Sequence, residues 1–163
     1  MNHTADQLTR LQFLERIARK EIDLLLYAES KAFNPPLTLN LVENLEHEQD
    51  LALRLEAFSS RFCRLQDTLG DKLLPNLLEA LQEPRSPFLV NLQKAEKYQW
   101  LSSSEQWITL RQIRDQMVHE YIEHAQKFYD AIQTAKENIP FLIEFANNLS
   151  NETKKYQNNK TKI

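Results

Sequence analysis

The chain of 163 residues contains one glycine, one cysteine and six prolines, and no stretch of it approaches eighteen uninterrupted apolar residues. Each scarcity removes a class of protein. A single glycine leaves almost nothing for hairpin turns, bulges or phosphate-cradling loops. A nucleotide-binding fold built on a glycine fingerprint is effectively excluded, because that fingerprint needs glycine wherever a Cβ would clash. The lone Cys63 rules out an intrachain disulfide and any zinc site made from several thiolates. The apolar runs are too short to cross a bilayer, and Asp6 and Arg10 stand where a signal peptide would need apolar residues. The expectation is a soluble cytoplasmic protein. With 20 Lys plus Arg against 23 Asp plus Glu, the formal charge of -3 argues against non-specific clinging to nucleic acid while leaving room for a local site.

What the sequence does have is helical periodicity. From Ala5 to about Lys31, Leu8, Leu11, Phe13, Leu14, Ile17, Leu24, Leu25 and Ala28 recur at intervals near three and four, and Asn34, Pro35 and Pro36 end the pattern. A second stretch from Leu39–Leu41 to Leu69 carries Leu45, Leu51, Leu55, Phe58, Phe62 and Leu65, with room for a bend over Glu46–Asp50 and with Gly70 placed as a C-terminal cap. Asp71 is expected to cap a brief helix over Leu73–Leu81 with Pro75 in its first turn. Ser86 and Pro87 are expected to open another, through about Lys97. Ser102, at capping-box spacing from Glu105, or the neighbouring Ser103 or Ser104, opens a helix that holds Trp107, Leu110 and Met117 and extends at least to Tyr121. Between Ile122 and Leu149 a break is expected just before Pro140. The class is all-α: an antiparallel up-and-down bundle of four to five helices with additional short ones, one domain over residues 1–150. Residues 151–163, with four Lys and one Glu, read as an exposed basic tail of formal charge +3, which leaves -6 for the rest.

The chemistry is concentrated in Leu110–Tyr121. Arg114, Asp115, His119 and Tyr121 bring a fixed cation, an acid, an imidazole and a phenol within two or three helical turns. Asp115 and His119 are four apart, so the acid can orient the ring or raise its proton affinity. Arg114 and His119 lie about 140° apart around an ideal helix, so either their long or rotatable side chains meet around the helix end or groups from two subunits complete one site. The set suits a phosphodiester: a guanidinium clamps two oxygens and an imidazole moves a proton near neutral pH. RNA carries its own nucleophile, the 2′-hydroxyl, and needs neither a metal nor a cofactor here. Tyr121 is a candidate for orienting phosphate or for covalent modification.

Arg114, the four residues that follow it, His119, Glu120 and Tyr121 resemble the Arg-x4-His-x-Tyr motif of the HEPN superfamily, especially HepT-like toxins and nucleotidyltransferase-associated substrate-binding proteins. Asp115 stands where that family usually has Asn or another small polar residue. The resemblance implies a HEPN-like bundle over residues 5–149 and a homodimer that brings the motif helices together. It also implies a metal-independent ribonuclease centre at Arg114 and His119, and a small nucleotidyltransferase antitoxin that adenylylates Tyr121.

Two other functions fit the same residues: a non-catalytic nucleotidyltransferase subunit that binds nucleotide phosphates, and a structural helical protein whose polar motif lies in a dimer seam. Neither DNA specificity nor a membrane partner is expected. Arg111 and Glu120 read as solvated or interface residues and Trp100 and Trp107 as packing. His3, His47 and His124 lack ligand spacing, and Cys63 lies in an apolar stretch and reads as core.

Overall fold

The computed structural model describes residues 3–119 and 123–161. Among them every regular element is helical and there is no strand, an all-α helical bundle with short accessory helices. In chain order the helices are α1 (His3–Ala32), α2 (Leu39–Glu43), α3 (Gln49–Asp67), α4 (Leu74–Ala80), α5 (Phe88–Lys97), α6 (Ser104–Gln112), α7 (Arg114–His119), α8 (Ala125–Glu137) and α9 (Ile139–Thr161). A 3₁₀ turn over Leu45–His47 separates α2 from α3, where a bend was expected, and a π-helical segment over Thr68–Leu73 joins α3 to α4.

The chain divides into two compact units. One comprises Met1–Lys20, Gln66–Ser104 and Phe141–Ile163; the other comprises Glu21–Leu65 and Glu105–Pro140. In the first, Leu11 and Leu14 of α1, Leu69 and Leu73 of the π segment, Leu77 of α4, Leu92 of α5 and Leu142, Phe145 and Leu149 of α9 are buried. An acid joins them: Glu15 is also buried, its Oε1 accepting hydrogen bonds from Arg19 and from Ser150 Oγ. Burial raises the Glu15 pKa, but the hydrogen bonds from Ser150 and Arg19 and the nearby charges of Arg19 and Lys154 outweigh it and leave the carboxyl below its usual range. In the second unit the core is Leu25, Phe58, Phe62, Leu65, Trp107, Met117 and Ile132, with the rings of Phe33 and Phe58 edge to face at 5.1 Å. This unit too buries an acid, Glu21.

Several expected boundaries move, each for a local reason. Gly70 does not end a helix. It is buried inside the π segment without positive φ, because Leu65, Leu69, Leu73 and Leu77 continue one fully buried apolar series through it and carry the helix onward. Asp71 accordingly lies inside the π segment and does not open a helix, while Pro75 does sit in the first turn of α4. The helix expected to run unbroken to Tyr121 is interrupted at Ile113. Thr109 Oγ1 donates to the Glu105 carbonyl one turn back, a bond that bends helices, although Ile113 N–H still reaches Thr109 O at 3.3 Å.

The segment expected as an exposed tail is helical to Thr161, with Thr153 2% and Tyr156 6% exposed. Those two side chains, three apart, give the last turns a face to bury. The break at Pro140 falls where expected: Asn138 closes α8 with its Nδ2 donating to Thr134 O, and Pro140 occupies the first turn of α9, where it forfeits no helical bond.

The glycine shortage is met by glutamine. Gln82 and Gln99 both have φ of 64°, in the left-handed region, just past the ends of α4 and α5. At each end the next residue donates back five positions, Glu83 N–H to Leu78 O and Trp100 N–H to Ala95 O, both 2.9 Å. The glutamines themselves donate to Glu79 O and Glu96 O. This is the Schellman arrangement, which satisfies the last carbonyls and ordinarily places glycine at the left-handed position.

Candidate functional site

Arg114, Asp115 and His119 all lie on α7, a helix of six residues that packs against α8. Its orientation follows from one side chain. Met117 is 2% exposed and fixes which side of α7 faces the core. At about 100° per residue, Arg114 lies roughly 60° from Met117 around the axis, and Asp115 and His119 each lie roughly 160° away, on the far side. Burial agrees: Arg114 is half-buried on the flank, while Asp115 and His119 are exposed. Val118 is 50% exposed, an apolar side chain standing in water beside the imidazole.

Asp115 and His119 therefore share a face, as their spacing requires, but no hydrogen bond joins them among the described residues. An acid in the first turn and an imidazole in the last also complement the helix dipole, which is the ordinary structural use of such a pair. Arg114 and His119 do not lie on one face of α7. Tyr121 and Glu120 fall outside the described residues. Arg111 is half-buried on α6. Trp107 is fully buried, and Trp100 is buried against the Tyr98 ring, centroids 4.8 Å apart, so both tryptophans pack. Cys63 is core, and His3 and His47 are exposed. His124 is the residue before α8. Among the described residues no three His, Cys, Asp or Glu side chains gather as a metal site, and no helix is long and apolar enough to cross a membrane.

A second polar constellation, invisible as a motif, closes the corner between α4 and α5. Tyr98 Oη donates to Glu83 Oε1, and Lys94 Nζ lies 3.5 Å from Glu83 Oε2, 3.0 Å from Ser86 Oγ and 3.2 Å from Pro84 O. The Tyr98 hydrogen bond, followed by the Lys94 charge, lowers the Glu83 pKa, and the bond to Glu83 raises that of Tyr98. Ser86, expected as a cap, is held by Lys94 and Pro84, and Pro87 takes the capping position of α5. Glu96 Oε2 accepts from Ser104 Oγ at 2.6 Å and Ser104 N–H at 3.1 Å, bonds that lower its pKa. Helix α6 begins at Ser104, one of the three serines expected to open it, and Glu96, eight residues upstream, receives that residue's N–H. A cavity of about 270 Å³ opens beside this corner between Pro75, Leu78, Arg85 and the buried Asn91. No local signal pointed to these groups, because their partners are eight to fifteen residues apart.

No family model matches the chain, and neither a curated protein nor a solved structure does.

Proposed function

We propose that α7 is the reactive helix of a metal-independent ribonuclease of the HEPN type, acting as the toxin of a toxin–nucleotidyltransferase pair, and that two copies of the chain complete its site. The observation that carries this reading is the direction of the motif. The core is served by Met117 alone, while Asp115 and His119 are turned to solvent with an exposed Val118 at the edge of their face, on the Arg114 side. The helix dipole accounts for an acid in the first turn and an imidazole in the last, but not for an exposed Val118 beside them. A helix that meets its counterpart on a second copy gains an apolar contact at Val118 and two imidazoles near one phosphate.

The chemistry follows from what each group holds. The Arg114 guanidinium binds two non-bridging oxygens and offsets the charge that builds on phosphorus. One His119 accepts the proton of the RNA 2′-hydroxyl as that oxygen bonds to phosphorus. The other gives a proton to the departing 5′-oxygen, so the products are a 2′,3′-cyclic phosphate and a 5′-hydroxyl. Asp115, one turn away, orients the ring. Tyr121 is the group for a nucleotidyltransferase to modify.

The test is incubation of wild type, Arg114→Ala and His119→Ala with defined RNAs in the presence of a chelator, with the product ends identified. Cyclic phosphate ends from wild type and none from either folded variant support the reading. Equal cleavage by all three rejects it. If no RNA is cut and a nucleotidyltransferase supplied with nucleotide labels Tyr121, the chain is the non-catalytic subunit instead.

A further inference from the structure

The corner between α4 and α5 is closed on one side and open on the other. Glu83 has both carboxylate oxygens engaged, by Tyr98 and by Lys94, and Ser86 Oγ is held between Lys94 and Pro84 O. The cavity of about 270 Å³ beside them is lined by Pro75, Leu78 and Glu79 of α4, by Pro84 and Arg85 of the connection, and by Asn91 of α5. Here two groups remain open. Asn91 is only 8% exposed, and while its N–H donates to Pro87 O, its carboxamide makes no hydrogen bond among the described residues. A buried amide without a partner is rare enough in a folded chain to need an explanation. Arg85 stands almost wholly in solvent, its Nη2 3.9 Å from Glu79 Oε1.

Charge, spacing and size select the ligand together. Glu79 and Glu83 are balanced by Arg85 and Lys94, so the cavity favours neither a polyanion nor a simple cation. A molecule with one charge of each sign suits that balance. The pair of Arg85 and Glu79 is loose and exposed, so opening it costs little. A ligand whose carboxylate and ammonium sit on one carbon replaces it with two closer contacts, carboxylate on guanidinium and ammonium on Glu79. The Asn91 carboxamide both donates and accepts, and so completes the set from the buried side. Pro75, Leu78 and Pro84 supply an apolar wall for a side chain, and a volume below that of drug-sized pockets restricts it to a small one. We infer that this cavity is a binding site for a free α-amino acid with a small apolar side chain. The site does not depend on the ribonuclease reading, and each stands if the other fails.

The experiment is heteronuclear NMR of the full chain labelled with ¹⁵N and titrated with L-valine, following the signals of the Asn91 carboxamide and Arg85 Nε. L-Valine should shift both saturably with a Kd of about 1 mM or tighter, within reach of a ligand of so few atoms. Valinamide lacks the carboxylate, N-acetylvaline lacks the ammonium, and γ-aminobutyrate holds its two charges apart; each should bind about tenfold or more weakly. L-Tryptophan, too large for the cavity, should leave both signals in place. Arg85→Gln, Glu79→Gln and Asn91→Ala should each weaken valine binding about tenfold or more, with chemical denaturation showing that the variants are folded. Arg16→Gln, exposed and not part of the cavity wall, should leave it unchanged. Absence of a saturable shift with valine, valinamide or γ-aminobutyrate binding as tightly as valine, or valine binding undiminished by Arg85→Gln each overturn the proposal. The ligand analogues test it on the unaltered protein, so a variant that fails to fold does not shield it.

Discussion

Two polar regions of this chain use the same kinds of residue in opposite ways. At the corner between α4 and α5, Glu83, Lys94 and Tyr98 answer one another, and Glu96 answers the first residue of α6. On α7, Asp115 and His119 face away from the helix that holds them. A group that finds its partners inside the chain is there to hold a connection; its removal is felt by the fold. Groups that are displayed, on a helix pinned by one buried methionine, contribute little to the fold. They are available to something outside it. If that distinction is right, mutations in the two regions separate cleanly into losses of activity and losses of stability.

The largest separation is expected at His119. His119→Ala should reduce RNA cleavage by about 10²- to 10⁴-fold, the range for removing a general acid–base group, while unfolding free energy stays within about 0.5 kcal/mol, as for an exposed side chain. Chemical denaturation beside the cleavage assay checks both. A stability loss as large as a core mutation would place His119 with the corner residues instead.

Next is the support beneath it. Met117→Ala should cost about 2–5 kcal/mol, because it removes the one buried side chain that α7 supplies from its own sequence and leaves a cavity. Val118→Ala, next to it but half exposed, should cost well under about 1 kcal/mol in the monomer and show its effect in self-association. Equal losses from the two would mean that α7 is held otherwise than its burial pattern indicates.

The same contrast explains what could be read from the residues alone. The long helices were legible because Leu11, Leu14, Leu25 and Ala28, or Leu55, Phe58, Phe62 and Leu65, repeat at the spacing that buries one face. Phe13 and Leu24 join that list by hydrophobicity but are exposed, and Glu15 and Glu21 are excluded from it by charge but are buried; one-letter patterns miss both. Gly70 misled because a glycine after an apolar run signals a helix end, whereas here the run resumes beyond it. The last turns of α9 misled because Lys and Asn outnumber the two side chains, Thr153 and Tyr156, that turn inward. Within the candidate site, the sharing of a face by Asp115 and His119 followed from their spacing. The break at Ile113, which makes α7 a separate short helix, did not, since the periodicity of the residues runs through it without a proline or glycine. The corner network escaped because Tyr98 and Glu83 are fifteen residues apart and no periodicity links them.

Smaller effects belong to the corner's helix ends. Gln82→Gly and Gln99→Gly should each stabilise the protein by about 0.5–1 kcal/mol, since a Cβ in the left-handed region costs about 1–2 kcal/mol and the extra freedom of glycine in the unfolded chain returns part of that. Neither should alter cleavage. A destabilising result would mean that these side chains contribute more by their contacts than their backbone costs.

The finest discrimination comes from pH. Glu83 is held below its ordinary value of 4.5 by Tyr98 first and Lys94 next, so its contribution to stability is fully present above that value and fades as pH falls through the lower, folded one. Tyr98 is raised above 10.0 by the same bond, so its contribution is present below that value and fades as pH climbs through the higher one. The bond therefore persists across the whole neutral range and weakens at both extremes. Tyr98→Phe should flatten both limbs, lowering stability at neutral pH while making it less sensitive to acid and to alkali, as followed by denaturant midpoints across pH. An unchanged alkaline limb would show that the phenol, despite its contact with Glu83, does not titrate with the fold. His119→Ala should leave this profile alone, because no hydrogen bond within the described chain ties that imidazole to the corner. A profile that moved with His119 would couple the displayed helix to the closed network, and the distinction between them would fail.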